Sequence, residues 1–471
     1  MLEHLYRFRS AEALLGKFAE LEKQEIYFAS REELNDPLEG FKNIFWQGDS
    51  IVWKNFLKHY LLCVLHISAF FITDGEYEIK DDDIPIRMVI KNLPPRYQNQ
   101  YQEICDQFFK NERIQKYPEW LASRNSPIRR NELLFYLKIL HYYALKCIFS
   151  RHGLLSKYPE YAFLNKAEEM LLDFEYFDKV NRLVVQYPNV ENIEGIIYGV
   201  QKNIHDQIYL TAIYNNPYFH KNHNGKFIFL EFPEKYLKNL EKIIHPEWYT
   251  ACFQTNYQNP SMWSYYGHNH KGICLKFKTT LSSQGTPTIK LQRIVGFDSR
   301  MQPRLSYQDT SIFEIKYNDR YPEIDFFRSL GRLPIPVLYD QWYMDENKNK
   351  SSCADIFNNE GQWRKKYWDD FLNTVTVKLE GWSHEKEHRL ILYGLAIDFS
   401  NKENRKLKYN FSDLEGIIFG IETSMEDKIE IIKIIEEKCK KEGRNNFKFY
   451  QANYSTRTGK IELFEMNIKF R

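Results

Sequence analysis

The chain has 471 residues, more than one domain usually holds, with 43% hydrophobic and 27% charged residues, so it should fold around a large core as one elaborated domain or two. Lys and Arg number 65 against 63 Asp and Glu, and the formal net charge of +2 excludes a global field for capturing nucleic acid, leaving only local patches. Seven cysteines, an odd number without a CxxC pair, exclude a disulfide framework or zinc knuckle and fit a reducing, cytoplasmic setting.

Residues 5–9 (LYRFR) read as a strand, and Ser10 is placed to cap a helix over SAEALLGKFAELEKQ. This start lacks a charged-then-apolar export pattern. EIYFAS reads as a second short strand running into REELNDPLEG, where Asn35, Asp36 and Pro37 force a turn. From 42 to 240 helical spacing dominates, as in IRRNELLFYLKILHYYALKCIFSRHGLL, with Gly153 placed to stop the helix. Residues 60–72 are too short to span a bilayer and carry His66, so they are expected to form a buried helix and no membrane partner is expected. Strand-like runs then return: KFIFLEF, TACFQT, GICLKFK, IFEIKYN, TVTVKLEG, EHRLILYG, EGIIFGI and FKFYQANY, with a helix near 425–440. The predicted fold class is α+β. A small mixed or antiparallel sheet comes from 1–41 and 241–471, and 42–240 form a large α-helical insertion.

Three blocks carry chemistry. In WSHEKEHR, strand alternation puts Glu385, Glu387 and Arg389 on one side, two carboxylates and a guanidinium able to tune one another's proton affinity; a solvated charged strand face has the same pattern. In MWSYYGHNHKG, the rings of Trp263, Tyr265 and Tyr266 precede His268, His270 and Lys271, a mixture suited to a stacked aromatic ligand or, more simply, to core plus a surface turn. At the start, Arg7 and Arg9 on a strand, Ser10 at a helix N-terminus, Ser30 after the next strand, and then Asn35, Asp36 and Glu39 suit a phosphate, or an exposed Arg and an ordinary cap. His268 and His270 form an HxH pair, but nothing at suitable spacing supplies further ligands, so no metal site is assigned. Neither a Walker loop nor a dinucleotide fingerprint is present.

Together these motifs (a Tyr-x-x-Arg-Ser opening, a strand ending near NDPLEG, the CF…MWSYYGHNHKGICLKF block, the WSHEKEHR strand and EGIIFGIETSMEDKIEIIKII) resemble the domain-of-unknown-function 2971 family over roughly 1–41 and 245–460. The layout is also similar to a reduced ADP-ribosyltransferase. That resemblance implies NAD as substrate, Arg9 on the pyrophosphate beside Ser10, Ser30 or Ser264 as the ribose-orienting hydroxyl, and Tyr265 or Tyr266 stacked on nicotinamide. It further implies Glu387 as the catalytic carboxylate and Glu385 activating an acceptor. Similar proteins occur among bacterial stress and phage-defence genes, which suggests a toxin-like effector with a protein or nucleic-acid acceptor and an antitoxin or phage trigger. Two other functions suit the same residues: a metal-dependent nuclease using Glu385, Glu387, His268 and His270, and a non-catalytic ligand-sensing or protein-interaction module.

Overall fold

Apolar runs from both ends of the chain meet in one sheet. The computed structural model describes residues 2–73, 77–124, 126–187, 192–216, 222–394 and 397–470. They divide into two units, one of 1–41, 246–321 and 372–471, the other of 42–245 and 322–371.

The first unit contains a ten-stranded sheet: β1 (His4–Arg9), β2 (Trp248–Gln254), β3 (Ile273–Lys278), β4 (Thr280–Leu281), β5 (Pro287–Phe297), β6 (Pro303–Glu314), β7 (Glu387–Tyr393), β8 (Leu414–Phe419), β9 (Lys448–Tyr454) and β10 (Ile461–Met466). The spatial order is β10-β9-β8-β3-β1-β2-β7-β6-β5-β4. Every pairing is antiparallel except β8 with β9, which are joined by the Met425–Glu442 helix, because parallel neighbours need a crossover. That helix starts on Ser424, whose hydroxyl accepts the Asp427 N–H, and ends at Gly443 in the left-handed region. Alternation sends Leu5, Phe253, Leu275, Leu390 and Ile417 to one core with Ile431 and Ile435 of the helix; Tyr6, Phe8, Cys274 and Ile418 face a smaller core with Met262 and Trp263. All seven cysteines are free thiols.

The α+β class is observed, but the sheet expected to be small has ten strands, and there are local departures. The expected helix after Ser10 is split into Ala11–Leu14 and Glu20–Lys23, with the low-propensity Gly16 between them. Glu25–Tyr27 pairs with Lys406–Lys408 in a separate two-stranded sheet. KFIFLEF is helical: a π turn over Phe227–Glu231 leads into the Phe232–Ile244 helix. A continuous apolar run has no period to separate a buried helix from a strand, and Phe227, Ile228, Phe229 and Phe232 are all buried. The first part of TVTVKLEG finishes the Glu360–Val375 helix, leaving Val377–Leu379 as strand.

The second unit is mainly helical, with a three-stranded sheet of Asn43–Trp46, Ile128–Arg129 and Glu323–Asp325. It includes 322–371, which the sequence reading placed with the sheet. The strand Glu323–Asp325 pairs with Asn43–Trp46, and Phe326, Phe327 and Trp342 pack in the same core as Trp53 and Phe56. The helix expected at 60–72 runs over Ser50–Thr73. It and Arg130–Arg151 are long and apolar enough to cross a membrane, but most of each is buried here as core helix.

Candidate functional site

The site begins where two strands part. β1 pairs with β3 along its whole length but with β2 through Tyr6 opposite Gln254; beyond that point Thr250 of β2 exchanges backbone bonds with Ala29 at 2.8 and 2.9 Å. The opened ladder leaves carbonyls to be satisfied, and Arg7 reaches into the gap. Its Nη2 donates to the Tyr27 carbonyl at 3.0 Å and its Nη1 to that of Cys252 at 3.4 Å, with the guanidinium 5.4 Å from the Phe253 ring centroid. Arg7 is 6% exposed, and among the described residues it forms no ion pair; Glu20, the carboxylate that acts on it, is bound by Arg9. Burial, assisted by the charge of Arg9, outweighs the opposing influence of Glu20 and pulls the pKa of Arg7 down to about 10.

A cleft of ≈ 420 Å³ lies over this fork, within the ordinary size of a small-molecule site. Arg7, Arg9, Ser10, Tyr265, Tyr266, His268, Glu387 and Arg389 all line it.

Arg9 reaches the cleft already partnered. Its Nε donates to Glu20 Oε2 at 2.8 Å and its Nη2 pairs with Glu20 Oε1, so the arginine free of a carboxylate is Arg7. Ser10 caps its short helix, Oγ accepting the Ala13 N–H at 3.2 Å. Ser30 precedes the turn Arg31–Glu33 and does not line the cleft.

The cleft is also lined by members of a buried ion cluster. Lys378 Nζ lies 2.7 Å from Glu385 Oε2, 2.9 Å from Glu387 Oε2 and 3.5 Å from Glu39 Oε2. Arg389 binds Glu387 twice, Nε to Oε1 at 2.6 Å and Nη2 to Oε2 at 3.0 Å, and its Nη1 reaches Glu39 Oε1 at 2.7 Å and the Val375 carbonyl at 3.1 Å. None of the five side chains is more than 5% exposed. Burial alone would raise the pKa of Glu387, but Arg389 and Lys378 outweigh it and hold the carboxyl below its usual range. Burial likewise opposes the charge on Lys378 and Arg389, and the glutamates outweigh it, raising both. Glu387 is thus a fixed anion, unlike a titrating base.

Glu385 and Glu387 do not share a strand. Glu385 ends a 3-10 turn, Glu380–Glu385, and Lys386 is left-handed at φ 47°, so β7 starts only at Glu387. Both carboxylates still meet at Lys378. The Tyr266 hydroxyl donates to Glu385 Oε1 at 2.5 Å, and that of Tyr317 accepts the Glu387 N–H at 2.8 Å.

The aromatic block divides. Tyr265 stands 72% exposed at the mouth and Tyr266 lines the wall. Trp263 is core: fully buried, 4.9 Å edge-on to Phe8, with its indole N–H donating to the Tyr257 carbonyl at 2.7 Å. His268 faces the cleft, whereas His270 and Lys271 do not line it. His268, Asn269 and His270 have φ of 49°, 51° and 66°, a strained run held by backbone bonds to Ser264 and Trp263. Gly272 follows because a Cβ there would sit 2.5 Å from the Arg9 carbonyl.

Among the described residues no group of His, Cys, Asp and Glu is arranged to hold a metal ion. At the glutamates the Lys378 ammonium takes the central position a cation would need. Sequence reasoning did not single out Arg7 over Arg9, and it missed Lys378 altogether. Lys378 is a lysine in a β-prone run, and nothing local marks it as buried.

The fold and site define an α+β protein with a charge-lined cleft at a fork in a mostly antiparallel sheet. Residues 262–390 match the family described as Protein of unknown function (DUF2971), so the resemblance drawn from the motifs holds over that segment. No curated protein and no solved structure matches the chain.

Proposed function

We propose that the chain is an NAD-consuming enzyme, an ADP-ribosyltransferase or NAD glycohydrolase with an ADP-ribosyltransferase-like core, acting as an effector in bacterial defence. The observation that carries this reading is the polarity of the cleft: it is lined both by Arg7, a guanidinium in no ion pair, and by Glu387, an anion held ionised. Breaking the ribosyl C1′–nitrogen bond sends the electron pair out with nicotinamide and leaves positive charge at C1′, which a preorganised negative charge stabilises. Water or an acceptor then adds at C1′ and releases its proton. In this scheme Arg7 holds the pyrophosphate, with Ser10 and His268 beside it. Tyr265 stacks on a base or nicotinamide, and Tyr266 and Lys378 position Glu385 and Glu387.

Incubation of the full chain with NAD and cell lysate should release nicotinamide or label an acceptor. Glu387→Gln should abolish this at unchanged near-ultraviolet circular dichroism, and Arg7→Ala should raise KM about tenfold or more, as expected from losing roughly 1.5–3 kcal/mol of charged hydrogen bonding. If the wild type neither releases nicotinamide nor labels anything, the proposal fails.

One observation favours a ligand-sensing module instead: both oxygens of Glu387 already accept hydrogen bonds from Arg389 and Lys378. Saturable nucleotide binding without turnover would support it. The metal-dependent nuclease has no comparable support, because Lys378 occupies the centre of the carboxylates.

A further inference from the structure

In the second unit the Ile193–Asn215 helix turns Tyr198 into the core and leaves its other side bare. At about 100° per residue, Ile196, Val200, Ile204, Ile208, Leu210 and Tyr214 fall within about 160° of arc. They are between 44% and 81% exposed. No charged residue lies in that arc. The charges of the helix lie outside that arc, where Lys202 pairs with Asp206 at 2.5 Å and Glu194 is bound by Arg124. An uncharged, mainly apolar stripe about 27 Å long at 1.5 Å per residue, with the neutral Asn203, Gln207 and Thr211 interspersed, is not the scatter of single exposed hydrophobics found on ordinary surfaces.

We propose that this stripe is a dimer interface, covered by the same helix of a second copy of the chain packed antiparallel about a two-fold axis at Ile204. Charge selects the occupant. A partner with ionic groups there would desolvate them against a face with no counter-charge, whereas the stripe of a second copy is as apolar and uncharged as the first. Ile204 is the midpoint of the helix, and the antiparallel arrangement sets Val200 of one copy against Ile208 of the other. Six side chains at roughly 100 Å² of exposed surface each, with their neighbours, come to on the order of 700 Å² per copy, close to the ~800 Å² per partner of a stable interface.

Light scattering on the eluting full chain, over a wide concentration range, should give twice the single-chain mass. Ile204→Glu should halve that mass at unchanged far-ultraviolet circular dichroism, as should Ile204→Lys, because the axis places each charge against its own copy. Mixing the two variants should restore the dimer by pairing Glu with Lys across the axis. Lys202→Ala, on the opposite side, should remain dimeric. A wild type with single-chain mass throughout overturns the proposal, even if it binds vesicles or another protein. So does a dimer that survives Ile204→Glu, or a mixture that stays monomeric.

Discussion

Arg389 is the residue on which the cleft wall depends. It is fully buried and satisfies Glu39 and Glu387 at once, with Lys378 completing the balance. Removing one member of a buried ion group leaves its partners charged in a medium that solvates them poorly, so Arg389→Leu should lower the unfolding free energy by about 3–5 kcal/mol, read from the urea midpoint. The same cluster sets an acid limit. The folded pKa of Glu387 is lowered, so its contribution is fully present above the unfolded value of about 4.3 and is lost as pH falls from there through the folded value. Midpoints measured down a pH series should therefore drop below about 4.3. That acid drop should be smaller in Glu387→Gln.

At the scale of elements, the NDPLEG turn shows how a local signal serves a distant site. The Asp36 carboxylate accepts the Leu38 N–H at 2.9 Å, the chain bends, and Glu39 is delivered to Arg389. Gly40 closes the turn at φ +61°, where a Cβ would stand 2.4 Å from the Trp248 ring. Gly40→Ala should cost about 1–3 kcal/mol from the left-handed conformation alone, with more from the ring contact, and should weaken ligand binding in the cleft by displacing Glu39. Thermal melts and nucleotide titration check this. The turn was legible because Asn, Asp, Pro and Gly act through their own backbones. The helix across KFIFLEF was not, because that stretch is apolar on every side.

At the scale of the molecule, the chain crosses between its two units four times, and each hydrophobic core belongs to one unit alone. Units that share no core can unfold as separate cooperative blocks, so calorimetry should resolve two transitions, with Arg389→Leu lowering one of them and sparing the other. A single transition shifted as a whole would show that the units melt as one.

The sequence by itself determined the α+β class, the strand and helix periods at both ends, the NDPLEG bend and the family motifs, since each depends on residues close together in the chain. Tertiary structure alone decided which groups are chemically available. Glu20 pairs with Arg9 and not with Arg7, and the fold brings the distant Glu39 to Lys378 beside the neighbouring Glu385 and Glu387. The availability of a charge depends on burial and on its partner, and here those partners lie as many as 350 residues away along the chain.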